Sequence, residues 1–302
     1  MRVALTFPGQ GSQAAGMADG LLDTPLARTL VDAAAGRGLD LRNALSGDDD
    51  ALRPTEVAQP ALLLVELVLA GALQTAGLDV AGVAGHSVGE YAALVAAGAL
   101  DPAEAMGLVV ERGRAMAAMR EGGMAALLGA EASLAEEICR EVEASGGGVV
   151  VVANLNAPGQ VVLSGARDAL DRAVALARER GVRRALPLNV SGAFHSPLMA
   201  PAAERFGALL DRAAFRDATV PVVCNVDAEA VRDAEGLRER LRRQLTAPVR
   251  WVDCVNTLLE LDAGALLEVG PGSVLTGLAR RIAPEVRALS VARLDDAVAV
   301  HA

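Results

Sequence analysis

No lysine occurs in this sequence. All 28 basic residues are arginine, an imprint of base composition that also rules out Schiff-base chemistry on a lysine amine. Aromatic residues are scarce as well, at 2%, so the core has to be built from Ala, Val and Leu. The three cysteines (Cys139, Cys224, Cys254) lie far apart with no C-x-x-C pair, which argues against a disulfide framework or a zinc site and fits a reducing cytoplasm. There are three histidines, and His301 sits in the tail, leaving too few for a His-rich metal site. The net charge of −10 argues against a general nucleic-acid or membrane-surface role. The apolar stretch near the N-terminus is too short for a signal peptide. The longest apolar run, residues 61–73, carries Glu66 and is shorter than a membrane span, so it reads as a buried helix.

What the sequence does contain is organised around residues 80–98, VAGVAGHSVGEYAALVAAG. A short apolar run leads into Gly-His-Ser-Val-Gly and then into a helical pattern that stops at Gly98. This G-x-S-x-G turn, with a strand before it and a helix after it, holds the Ser87 hydroxyl out over the strand end as a nucleophile. The helix that follows leaves free N–H groups beside the serine, suited to a developing oxyanion.

With 302 residues the chain can hold one large core, or a large domain with a smaller one attached. Residues 2–7 read as a fully buried strand, followed by the Pro8-Gly9-Gln10-Gly11 loop, whose glycines let the backbone pass close to something. Pro60 opens an apolar helix expected to run to Gly77 and to pack beneath the serine turn. A further helix, from 102 to 119, carries Arg112 and Arg114. Between 124 and 188 the pattern becomes strand, helix, strand, strand, helix, strand, with Ser133 and Glu136 as a capping box on the first helix. The strand at 265–269 reads as the last one, and VRW at 249–251 as strand-like. The expected fold is α/β: an α/β-hydrolase-like large domain (1–123 and 189–302) with a parallel sheet covered on both faces, interrupted by a small ferredoxin-like βαββαβ domain (124–188).

A serine hydroxyl needs a base, and histidine is the usual one. His86 adjoins Ser87, but neighbours on so sharp a turn point apart, so it braces the turn instead. His195 then becomes the base, in a Gly/Ser/Pro-punctuated loop after the insert. The carboxylates between serine and histidine, such as Asp168, Asp171 and Glu179, fall on helices of the small domain and supply no convincing third member. A main-chain carbonyl could orient the ring in their place. Arg112 taken alone, on a charged helix beside Glu111 and Arg114, reads as surface decoration.

Five stretches carry a resemblance over nearly the whole length: FPGQGSQ at 7–13, VAQPAL at 57–62, GHSVGEYAAL at 85–94, GAFHSPLM at 192–199 and EVGPGSVLTGL at 268–278. The chain resembles the malonyl-CoA:acyl carrier protein transacylases. The resemblance implies that Ser87 is acylated by malonyl-CoA, that His195 is its base, and that the malonyl group passes to the phosphopantetheine thiol of acyl carrier protein. It implies an oxyanion hole from the backbone N–H groups of Gln10 and Val88, Arg112 on the malonyl carboxylate, the Gln244 main-chain carbonyl on the histidine, and Phe194 as a selectivity residue. No metal or tightly bound cofactor is implied. The expected partners are malonyl-CoA and acyl carrier protein, with no nucleic acid and no membrane, for a cytoplasmic monomer. For carrier docking, Arg280 and Arg281 are favoured over Arg238–Arg243 and Arg178–Arg184, because a glycine turn precedes them.

A serine esterase or thioesterase built on the same turn is the alternative, and the missing acid and the arginine weigh against it. The sequence leaves open fatty-acid synthesis, a free-standing polyketide-pathway enzyme or a malonate decarboxylase subunit. In the family, malonyl-selective members carry a small aliphatic residue and a phenylalanine where Val88 and Phe194 stand. Phe194 should crowd an α-methyl branch, so kcat/KM for methylmalonyl-CoA is expected to fall below that for malonyl-CoA by about 1–3 kcal/mol in activation free energy. Equal values for the two thioesters would count against this role.

Overall fold

The computed structural model describes residues 2–74 and 77–299; His301 and the 75–76 end of the expected apolar helix lie outside them. Ten strands form two sheets: β1 (Val3–Phe7), β2 (Val80–Gly85), β3 (Gly123–Leu128), β4 (Val150–Ala157), β5 (Gln160–Gly165), β6 (Arg184–Pro187), β7 (Val222–Val223), β8 (Ala230–Val231), β9 (Ala265–Val269) and β10 (Arg287–Val291). The larger sheet has the order β10-β9-β1-β2-β7-β8. Its pairs are parallel except β7 with β8.

β1 sits between β2 and β9, and all five of its residues are buried. The period of two divides them between two cores. Val3, Leu5 and Phe7 join the main core with the Thr55–Gln74 helix, while Ala4 joins a second cluster with Trp251, Cys254 and Leu266 on the opposite face. A strand covered on both faces has to be apolar throughout, which is why VALTF was readable as one. The Thr55–Gln74 helix has the length and mean hydropathy (1.7) of a membrane span, yet 78% of its apolar window is buried inside the protein, so it is a core helix.

The smaller sheet has the order β4-β5-β3-β6, and its pairs are antiparallel. Helices Ala132–Ala144 and Arg167–Glu179 cover one face, where Ala125, Leu127, Val161 and Leu163 meet Ile138 and Leu170. The other face turns Met124, Ala153 and Val162 into the main core. Backbone bonds from Leu155 to Val249 (2.9 Å) and from Val249 to Ala153 (2.8 Å) tie β4 to the segment just before the Trp251–Glu260 helix.

Several expectations are corrected. β10 lies outside β9, so the strand at 265–269 is not the last. The apolar helix starts at Thr55, and Pro60 is internal; burial of fifteen of its residues, Pro60 included, outweighs the lost helix hydrogen bond. VRW is strand-like only at Val249. Trp251 opens the Trp251–Glu260 helix, whose buried residues 251, 254, 255 and 258 follow the helical period. The Ser133 capping box is not formed, because the helix begins a residue earlier with Glu131 at the cap and no side-chain cap bond.

The serine turn is seated on the end of β1. The His86 N–H donates to the Phe7 carbonyl at 2.8 Å. A Cβ on Gly89 would lie 2.3 Å from Phe7 O, and one on Gly9 would lie 2.6 Å from His86 O. The close pass expected of the Pro8 loop is therefore against this turn. Replacing Gly89 with Ala forces backbone against backbone and is expected to reduce unfolding free energy by about 3 kcal/mol. Urea unfolding measures it; an unchanged midpoint would mean the two strand ends are free to part.

Candidate active site

Ser87 follows β2 directly and precedes the Gly89–Ala96 helix. Its φ of 53° lies in the left-handed region, costly for a residue with a Cβ, so the surroundings must hold it there. Asn225, fully buried just beyond β7, does so. Its Oδ1 accepts from the Ser87 N–H at 2.8 Å and its Nδ2 donates to Gly85 O at 2.7 Å, spanning the turn. Its own N–H donates to Glu90 Oε2 at 2.9 Å. Gln244 Nε2 donates to Ser87 O at 3.0 Å. Both peptide groups of the strained serine are thus fixed by side chains distant in sequence.

His195, 4% exposed, is also left-handed, at φ 57°. Its Nε2 lies 2.7 Å from Ser87 Oγ. Its Nδ1 faces two main-chain carbonyls, Gln244 O at 3.0 Å and Ala247 O at 3.2 Å. Carbonyls only accept, so Nδ1 carries the proton and Nε2 presents its lone pair to the serine hydroxyl. Burial, and then the nearby Arg112 charge, lower the pKa of the ring from 6.5 to about 3. Asp168, Asp171 and Glu179 are exposed on the Arg167–Glu179 helix and make no contact with this ring.

Arg112 is fully buried on the Pro102–Ala117 helix, contrary to its surface reading. Nη1 donates to Gln59 Oε1 (2.6 Å), and Nη2 donates to Gln244 Oε1 (2.9 Å) and to Ser87 Oγ (3.1 Å). The guanidinium lies 5.7 Å from the Tyr91 ring centre. Among the described residues no carboxylate forms an ion pair with it. Glu90 comes nearest to balancing it, but burial raises that carboxyl to about 7, so it is half protonated at neutral pH. A buried cation solvated by amides and one hydroxyl is a site prepared for an anion.

Ser87, Val88, Gln10, Arg112, Phe194 and His195 line one cleft of about 170 Å³, floored by Met124 and Val162 of the smaller sheet. Gln10 turns its side-chain amide onto Thr55 Oγ1 (3.1 Å). Neither the Gln10 nor the Val88 backbone N–H donates a hydrogen bond among the described residues, and both residues line the cleft. His86 points away from Ser87 Oγ: its Nε2 meets Asn156 Oδ1 at 2.9 Å and its ring packs edge-on against Trp251 at 5.5 Å.

The sequence reading missed Asn225, Gln59 and the Gln244 side chain. The signal available was an amide inside an apolar run: Asn225 ends VPVVCN, and Gln59 precedes Pro60 in a buried helix. Gln244 was expected only through its carbonyl, yet its side chain also joins Ser87 to Arg112.

The family model for the acyl transferase domain matches residues 5–294. The chain is 40% identical over 299 residues to the malonyl CoA-acyl carrier protein transacylase of Bacillus subtilis, covering 96% of this chain and 93% of that one. It is 42% identical over 306 residues to the protein of the same name from Escherichia coli K12, covering 99% and 97%. Among solved structures it is similar to an acyl carrier protein S-malonyltransferase from Vibrio cholerae, with TM-score 0.92, 39% identity, and 99% and 100% of the two chains covered. A malonyl-transacylase solved in complex with its type II PKS acyl-carrier protein matches at TM-score 0.92 and 38% identity, covering 99% and 98%.

A base whose folded pKa lies near 3 stays neutral far below the usual histidine range. Labelling of Ser87 by a fluorophosphonate is therefore expected to proceed at nearly constant rate from about pH 8 to about pH 5. The linked stability term is fully present above 6.5 and is lost as pH falls from 6.5 towards 3, because the unfolded chain binds the proton that the folded ring refuses. A labelling rate that halves near pH 6.5 would show the ring to be solvated and this account wrong.

Proposed function

Because the chain belongs to the acyl transferase domain family, we propose that it transfers the malonyl group of malonyl-CoA to the phosphopantetheine thiol of an acyl carrier protein. The intermediate is a malonyl ester on Ser87, formed and consumed in two half-reactions. The observation that carries this reading is Arg112, a buried cation without a carboxylate partner, one nitrogen of which rests 3.1 Å from Ser87 Oγ.

In the first half-reaction the malonyl carboxylate takes the guanidinium fork, which places the thioester carbonyl over Ser87. Arginine pairs both carboxylate oxygens and so fixes orientation as well as charge. The Ser87 proton passes to His195 Nε2 while Oγ bonds to the carbonyl carbon. The carbonyl oxygen becomes negative and is met by the Gln10 and Val88 N–H groups, which are already in place. The tetrahedral species collapses, the C–S bond breaks, and His195 returns its proton to the departing coenzyme A sulfur. In the second half-reaction the carrier thiol gives its proton to His195 and attacks the ester carbonyl. The C–Oγ bond breaks and Ser87 takes the proton back. The Gln244 and Ala247 carbonyls keep the Nδ1 proton in place throughout and stabilise the transient imidazolium.

The finer architecture belongs to the same proposal. Residues 1–123 and 189–302 form an α/β-hydrolase-like large domain, and residues 124–188 a ferredoxin-like insert. The βαββαβ order, the β4-β5-β3-β6 sheet and a separate core beneath its two helices support that division. The steps above use no metal or resident cofactor. A single chain supplies every group, as a monomeric enzyme requires, and three buried free thiols suit a cytoplasmic one. The product supplies malonyl units for fatty-acid or polyketide synthesis.

Intact-protein mass spectrometry after mixing with malonyl-CoA tests the reading. A malonyl adduct should persist on the unaltered protein, be absent from Ser87→Ala, and form on His195→Ala about 10²–10⁴-fold more slowly. Turnover to free malonate without a lasting adduct would make the protein a hydrolase, and an adduct on Ser87→Ala would displace the nucleophile.

A further inference from the structure

We propose that the exposed rim formed by β6 and the segment after it, residues 183–191, is the landing surface for an acidic carrier protein, whose prosthetic arm enters past Leu188 and Val190. The inference rests on the malonyl-transfer reading and adds to it where the second substrate docks.

Three observations converge on this rim. The first is charge. In a chain of net charge −10, no acidic residue occurs between Glu179 and Glu204, while Arg180, Arg183 and Arg184 fall in that interval. Arg180 is spent on Glu137 and Glu141. Arg183 and Arg184 are exposed, and neither makes an ion pair or side-chain hydrogen bond among the described residues. Long-range attraction of an acidic partner cannot come from the net charge, so it needs a local positive patch within about a Debye length, roughly 8–10 Å.

The second is apolar exposure. Leu186 (44%), Leu188 (38%) and Val274 are the large hydrophobic side chains exposed among the described residues, and two of the three stand on this rim. Arg184 and Leu186 flank the buried Ala185, so they share the sheet face turned away from the two covering helices. Leu186 pairs in register with Ala126, whose neighbour on the same face, Met124, lines the Ser87 cleft. β6 is also an edge strand, with no strand on its outer side. An arginine-flanked apolar stripe thus runs from the open edge to the catalytic mouth.

The third is access. Leu188 and Val190 line the Ser87 cleft, and Val190 and Gln10 also line an adjoining cleft of about 520 Å³. Asn189, Ser191 and the exposed Arg120, which makes no hydrogen bond or ion pair among the described residues, stand on the rim side of that second opening; Asp50, Arg53 and Glu56 are among the residues that also line it. A protein seated on the rim can therefore send an extended arm to Ser87 without crossing the body of the enzyme.

The other arginine clusters are partly occupied, with Arg243 and Arg280 left exposed and without an ion pair or side-chain hydrogen bond among the described residues. Arg281 donates to Gln160 Oε1 and Pro158 O, both at 2.6 Å, tying its helix to the β4–β5 turn. This leaves Arg280 alone of the pair favoured from sequence. Arg238, Arg240 and Arg242 are engaged with Glu235, Asp227 and Asp211.

The two half-reactions separate the outcomes. With a bacterial type II holo acyl carrier protein, Arg183→Glu/Arg184→Glu is expected to raise the carrier KM at least about fivefold at low ionic strength and to flatten its salt dependence. Leu186→Asp should raise KM at any salt concentration, and Arg280→Glu should have the smaller effect. Malonylation of Ser87 by malonyl-CoA should be unchanged in all three, which also reports that the variants are folded. Failure of the unaltered protein to form the malonyl adduct would overturn the functional reading, not the docking site. Normal malonylation with an unchanged carrier KM in both rim variants would overturn the docking site alone, as would a larger rise for Arg280→Glu. Equal losses in both half-reactions would assign the rim to coenzyme A.

Discussion

Burying the Arg112 cation away from any carboxylate is the constraint around which the other polar groups are arranged. Removing a guanidinium from water is costly unless its donors are met, and here Nη1 and Nη2 are met by neutral oxygens of Gln59, Gln244 and Ser87, while the buried Nε has no partner among the described residues. Neutral partners satisfy the hydrogen bonds and leave the charge. After burial, that residual charge is the next cause of the lowered His195 pKa, and it opposes any second cation in the cleft. In the proposed reaction the malonyl carboxylate completes that ion pair. Glu90, close enough to feel the charge, has its carboxyl raised to about 7 by burial and so balances it only in part.

The same network carries strain. Ser87 and His195 both adopt left-handed backbone conformations that ordinary residues avoid. Each is over-determined from outside its own segment: the serine by Asn225 and Gln244, the histidine by the 244–247 carbonyls. Gln244 touches the peptide of the nucleophile, the cation and the base at once, so these three groups share a single point of reference. Main-chain carbonyls do the orienting that a carboxylate does in a hydrolase triad, without adding a negative charge that would pair with Arg112.

The smaller sheet works by position. One face is closed by its own helices; the other floors the cleft with Met124 and Val162 and ends at an open edge. The larger sheet, by contrast, is parallel but for β7 with β8 and covered on both faces, and Ser87 stands just beyond the end of β2. The cleft lies between these two surfaces, which is why its rim mixes catalytic loops with strand-edge residues.

What the sequence determined by itself is what neighbours along the chain determine. The fully buried β1, the strand-turn-helix around Ser87 and the βαββαβ order of the smaller sheet were all legible, because each of their elements depends on periodicity and turn chemistry among near neighbours in the chain. The short edge elements were not. β8 has two residues, β10 is an edge strand with only Ala288 and Val291 buried, and Trp251 sits where an extended bridge passes straight into a helix. At the site, the residue types of Ser87 and His195 announced themselves, but Arg112 looked like surface until the fold buried it. Asn225 and the Gln244 side chain act across 138 and 132 residues of chain, on Ser87 and Arg112 respectively. No local pattern encodes such contacts. An amide becomes a clamp or a solvating group only when tertiary packing removes water and leaves it a single partner to face, and that was decided by the fold alone.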